Sequence, residues 1–93
     1  MINIIDKANN VNKVVNQFFQ TNSEITDIKA KSLMDEFIKA GIFNDNPKDG
    51  LPIRNLLRAL DKANQLHLFP LLRVERKAKN RNWYFTTARH LSI

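Results

Sequence analysis

The sequence predicts an α+β fold, a three-helix bundle closed by a C-terminal β-hairpin. Up to Leu66 the apolar residues recur at helical spacing, with helix-stopping residues between the runs, and after Leu66 the period falls to two. The chain has 93 residues, 43% of them hydrophobic and only two of them glycine, which suits one small packed core. A single domain is expected over residues 1–93, with its core at about 4–87 and a tail at 88–93.

The first helix is carried by Ile4, Ala8, Val11, Val15 and Phe18, with Val14 and Phe19 widening the stripe. Asn3 is placed to cap it, and Asp6 stands in the first turn, where a carboxylate is favoured. The second helix has two possible starts. Thr21 with Glu24 has capping-box spacing, whereas a cap at Thr26 leaves Glu24–Thr26 extended. Its apolar face is Ala30, Leu33, Met34, Phe37 and Ile38, and Gly41 stands where a left-handed residue ends a helix.

After the turn formers of "NDNPKDG", Pro52 suits the first turn of a third helix over residues 52–65. Ile53, Leu56, Leu57, Leu60 and Ala63 form its inner face, and Asn64 is the candidate left-handed terminator. Arg54, Asn55, Arg58, Asp61, Lys62 and Gln65 lie on the other side, with Arg54, Arg58 and Lys62 in one i, i+4, i+8 line. Leu72 and Val74 then alternate with Arg73 and Glu75, and Trp83 and Phe85 with Tyr84 and Thr86. Pro70 is expected to interrupt the first strand, and "KAKNR" has the length of a hairpin connection. Trp83 and Phe85 are expected in the core and Tyr84 outside.

Charge is segregated along the chain. Residues 1–50 hold six Lys/Arg against seven Asp/Glu, and residues 51–93 hold nine against two, so the second half carries the whole excess of a net +6. Solubility alone does not require such segregation, and a one-sided positive field attracts polyanions, of which nucleic acid is the most common in a cytosol. The absence of Cys removes disulfide and thiolate-zinc chemistry and fits a reducing, cytoplasmic setting. "MINIIDKANN" has neither a basic nor an apolar signal-peptide region, and no apolar run approaches the roughly 20 residues that cross a bilayer.

Catalytic patterns are weak. Glu75-Arg76-Lys77 reads E-x-K, half of a metal-dependent nuclease signature, but the nearest acid upstream is Asp61 on the third helix, not a neighbouring strand. His67 and His90 stand apart from each other and from regularly spaced acids, so no metal, cofactor or catalytic residue is assigned.

The stretch "PIRNLLRALDKANQLHLFP…RVERKAKNRNWYF" gives the chain its resemblance to the winged helix-turn-helix superfamily. An amphipathic helix with a basic outer face ends in a short cap, enters a strand, turns at a basic tip and returns through aromatics. The likeness is one of pattern and covers about residues 4–87. It departs from a tight helix-turn-helix in the long connection between Gly41 and Leu51. The resemblance implies double-stranded DNA as partner, with helix 52–65 in the major groove and a wing at 73–85 on the backbone. It implies contacts from Arg54, Asn55, Arg58 and Lys62 on the helix, and from Arg73, Arg76, Lys77, Lys79 and Arg81 on the wing. Arg and Asn are also the types that read guanine and adenine edges, whereas Lys and Arg anywhere on such a surface contact phosphate.

A non-catalytic transcriptional regulator or architectural factor of a bacterium, plasmid or phage is therefore expected, with helix one as a candidate homodimer surface. The alternatives are a protein-interaction module docking an acidic partner, as an adaptor or inhibitor, and a specificity domain of a larger enzyme.

Overall fold

A computed structural model describes residues 4–77 and 81–87, so the expected Asn3 cap, the wing residue Lys79, His90 and the tail 88–93 lie outside the described residues. Three helices pack on a small three-stranded antiparallel sheet. Helix α1 (Ile4–Thr21) buries Ala8, Val11, Val15 and Phe19, spaced so that one stripe meets the core. It ends where the Asn22 side chain and the Asn22 backbone N–H both donate to Phe18 O, each at 2.9 Å.

The next segment departs from the helix expected there. Residues 27–29 form a strand, β1 (Asp27–Lys29). A 3-10 turn, Ala30–Leu33, leads into α2 (Met34–Lys39), only six residues long. Neither capping position starts a helix, because Ile28 is needed beside Phe85 on the last strand and a helix would withdraw it. Thr86 secures the junction: its hydroxyl donates to Thr26 O at 2.8 Å, and Thr87 N donates to the same carbonyl at 3.0 Å. Helix α2 stops at Gly41, whose φ is 78°. Gly41 N donates to Ile38 O (2.9 Å) and Ile42 N to Phe37 O (3.0 Å), the paired bonds of a Schellman terminator.

Helix α3 (Leu51–Lys62) has Pro52 in its first turn and buries Ile53, Leu56, Leu57 and Leu60. It starts one residue earlier and ends three residues sooner than expected, and Ala63, expected in the core, is exposed. Asn64 does take the left-handed conformation (φ 59°), with Asn64 N donating to Asp61 O and Gln65 N to Leu60 O. A 3-10 turn at Leu66–Leu68 follows, and Pro70 precedes β2 (Leu72–Arg76) rather than breaking it.

Strand β3 (Arg81–Thr86) pairs with β2 in the register Leu72↔Phe85, Val74↔Trp83, Arg76↔Arg81. The hairpin is thus two-thirds of a sheet in the order β1-β3-β2, with β3 central. Phe85 is fully buried, edge-on to Phe37 (6.4 Å) and Phe69 (6.3 Å), and Trp83 is 5% exposed. Burial of side chains of this size stabilises by roughly 1.5–3 kcal/mol each, so the aromatic return strand anchors the hairpin to the helices.

Candidate nucleic-acid interface

Strand alternation sorts the basic residues by face. Arg76 and Arg81 lie opposite each other on the same side as Val74, Trp83 and Phe85, the side covered by the helices. Arg73 pairs with Tyr84 on the other side. It is fixed there: Arg73 Nη2 donates to Asp27 Oδ2 at 2.9 Å and its guanidinium lies 4.2 Å from the Tyr84 ring centre. The hydrogen bond that Arg73 donates to Asp27 raises the guanidinium pKa further above its ordinary value. Arg73 therefore sits on the sheet face turned away from α3, apart from Arg76 and Arg81, and shares Glu75 with Lys77.

On the helix side, Asp61 receives the wing. Arg76 donates through Nη2 to Asp61 Oδ1 (3.0 Å) and through Nη1 to Oδ2 (3.2 Å), and Arg81 Nη1 donates to the same Oδ2. The Asp61 side chain is only 15% exposed. Its pKa is held below the usual carboxylate value, chiefly by the hydrogen bond from Arg76 and further by Arg81, against the opposing effect of burial. From sequence alone Asp61 is a phosphate-repelling intruder on the basic face. In the fold it is the counter-ion that lets two arginines sit over one helix. Arg81 also lies 5.5 Å from the Trp83 ring centre.

The polar residues of α3 expected to face DNA divide in two. Asn55, Arg58 and Lys62 are exposed. Arg54 is half-buried and turns back to the preceding loop, with Nη2 donating to Lys48 O (2.8 Å) and Nε to Gly50 O (3.3 Å). Arg54 and Arg58 line a cleft of about 480 Å³ with Arg81 from β3, Lys29 and Lys31 from the end of β1 and the turn after it, and Lys48 from the loop. Asp49 is the one carboxylate among its lining residues, and it pairs with Lys31 at 3.3 Å. The cleft exists because β1 is short: it covers β3 from Thr86 to Tyr84 and leaves Arg81–Trp83 without a strand partner on that side.

Three of the expected residues, Arg54, Arg58 and Arg81, are thus brought together, and Arg76 joins Arg81 at Asp61. Lys77 is exposed at the end of β2, 3.7 Å from Glu75. Lys29, Lys31 and Lys48 were missed in the sequence. They are separated along the chain from the basic C-terminal half, and only the unforeseen β1 carries the first two to α3.

Other expectations resolve by placement. Glu75 lies on the Arg73 face, accepts a hydrogen bond from Asn82 Nδ2 (3.3 Å) and pairs with Lys77, with the sheet between it and Asp61. The E-x-K residues and Asp61 do not converge. Among the described residues no group of three or more His, Cys, Asp or Glu side chains is placed to hold a metal ion, and no helix is long and apolar enough to cross a membrane. The apolar stripe of α1 is used inside the protomer, leaving Ile4 and Ile5 as its exposed large hydrophobic residues. Comparison with family models, with curated proteins and with solved structures finds no match for the chain.

Proposed function

We propose that this is a winged-helix protein that binds double-stranded DNA without catalysis, as a transcriptional regulator or architectural factor. Helix α3 lies in the major groove, and the β2–β3 hairpin is the wing along the backbone. The element order and the short strand β1 completing the sheet are compatible with that fold. The observation that carries the functional reading is the convergence of Arg54 and Arg58 from α3 with Arg81 from the hairpin on one side of the molecule.

On that side, the exposed Asn55 and Arg58 are the groups suited to base edges, and Lys62 the group suited to phosphate. The brace between Asp61 and Arg76 supports a wing held at a set distance from the helix, as a rigid two-part contact with a duplex requires. Arg73 drops out of the contact set, since it is engaged on the far face.

Duplex binding measured against salt is the test. A surface that neutralises about six phosphates loses on the order of a thousandfold in affinity between about 50 and 200 mM salt. Within that binding, Arg58→Ala changes the preferred sequence, whereas Lys62→Ala weakens all sequences alike. Absent or salt-insensitive binding overturns the proposal and favours an acidic protein partner. That second reading draws on the way the molecule's own Asp61 already docks against Arg76 and Arg81.

A further inference from the structure

The cleft beside α3 differs in kind from the exposed face of the helix. It is concave, it has six cationic residues and one carboxylate on its walls, and it opens along the unpaired edge of β3. Part of that charge is already engaged: Arg81 by Asp61, Lys31 by Asp49, and Arg54 by two loop carbonyls. Lys29, Lys48 and Arg58 have no side-chain hydrogen bond or ion pair among the described residues. Like charges lining one cleft repel one another, and an anion between them relieves that repulsion.

A second observation concerns the loop that forms the rim. Lys48, Asp49 and Gly50 all have positive φ, at 52°, 48° and 99°. Such a conformation costs roughly 1–2 kcal/mol for each non-glycine residue. It is held in place from several directions: Gly50 N donates to Asn46 Oδ1 (2.6 Å), Arg54 grips Lys48 O, and Asp49 meets Lys31. Strained backbone fixed by its surroundings is characteristic of sites that present groups to a ligand. Here the strained loop places Lys48 in the lining of the cleft that Lys29 also lines.

We infer that this cleft is a phosphate-binding site in which Lys29 and Lys48 grip one phosphate group of the nucleic-acid strand that passes α3, beside the base-facing Arg58. The source of the phosphate rests on the DNA-binding reading, and the chemistry of the cleft does not. A tetrahedral phosphate group offers acceptor oxygens in more directions than a planar carboxylate does, which suits donors that line the cleft from β1 and from the loop. The grip lies beside the helix rather than on its outer face, so it sets register and contributes nothing to base choice.

Trp83 is the one tryptophan in the chain, it lines the cleft, and its buried indole N–H has no acceptor among the described residues. Its fluorescence is a direct reporter. The protein is titrated with inorganic phosphate at constant ionic strength held with potassium glutamate. The comparison is Lys29→Gln/Lys48→Asn, in which Asn suits the left-handed position. The same two proteins are then titrated with duplex DNA at several salt concentrations.

The wild type is expected to give a saturable change with phosphate, weakened about tenfold or more in the double variant, whose circular dichroism is unchanged. The double variant is also expected to lower the salt slope for duplex by about one. No phosphate-specific change, or one the double variant leaves intact, overturns the inference, and duplex binding of undiminished slope in that variant then leaves the DNA reading standing. Phosphate binding without duplex binding has the opposite meaning: the site is real and its phosphate comes from a free phosphorylated ligand.

Discussion

Replacing Gly50 by alanine tests whether the loop and the 3-10 turn are pressed together as closely as the cleft requires. Gly50 is buried at the start of α3 with φ 99° and ψ 11°, beyond the small left-handed region open to residues with a Cβ. The backbone penalty is about 1–2 kcal/mol. An added Cβ would stand 2.4 Å from Lys31 Cβ and 3.1 Å from Lys31 Cα, and the second of these is backbone that moves only with the turn itself. Relieving that overlap costs about 1–3 kcal/mol more.

The stiffer unfolded chain of the alanine variant offsets roughly 0.4–1 kcal/mol. The net loss is then about 2–4 kcal/mol, a substantial share of the roughly 5–14 kcal/mol expected for a domain of this length. Gly41 supplies the control. It also has positive φ, 78°, but nothing lies within 4 Å of its added Cβ, so Gly41→Ala bears only the backbone penalty and loses about 1 kcal/mol. Urea unfolding of both variants with an unchanged m-value gives the two numbers. A Gly50→Ala loss within about 0.5 kcal/mol of the Gly41→Ala loss refutes the close approach of Gly50 to Lys31, and with it the packing that shapes the cleft rim.

Two more outcomes follow from the ion pairs. Asp61 is held below the usual carboxylate pKa in the folded protein, so its contribution is fully present above the unfolded value of about 3.9 and is lost as pH falls through the lowered folded value. Asp61→Asn is therefore less stable than the wild type at neutral pH, and the gap in urea midpoint closes on acidification below about pH 4; a gap that persists undiminished at about pH 2 rules out the charge pairing as its source. Arg73→Ala is expected to reduce stability through lost contacts to Asp27 and Tyr84 while changing duplex affinity less than about twofold, and a loss as large as that of Arg58→Ala would put Arg73 back on the binding face.

Much of the fold is legible because it is written in local patterns. The stripe Ala8, Val11, Val15, Phe19 and the stripe Ile53, Leu56, Leu57, Leu60 each declare a helix and its inner face. Gly41 and Asn64 end their helices in the left-handed conformation that few other residues adopt, and the alternation at Leu72–Val74 and Trp83–Phe85 marks two strands. Helix α3 also shows its cations, because i, i+4 spacing fixes which side chains share a side. In each case the deciding interaction lies within a few residues along the chain.

What tertiary structure alone decides is which partner each group meets across the fold. Residues Asp27–Lys29 have no strand pattern of their own, and they are extended because Phe85, 57 positions away from Ile28, offers an edge to pair with. That pairing carries Lys29 and Lys31 to α3, and its brevity leaves the β3 edge open as the cleft. Asp61 likewise changes meaning only when Arg76 and Arg81 arrive over it, and Arg73 leaves the basic surface only when Asp27 captures it on the other side. Local sequence determined helices α1 and α3, strands β2 and β3, and the amount of charge. The long-range pairing of β1 with β3 determined where that charge collects, because the energy of a cross-strand contact depends on a residue that no local window contains.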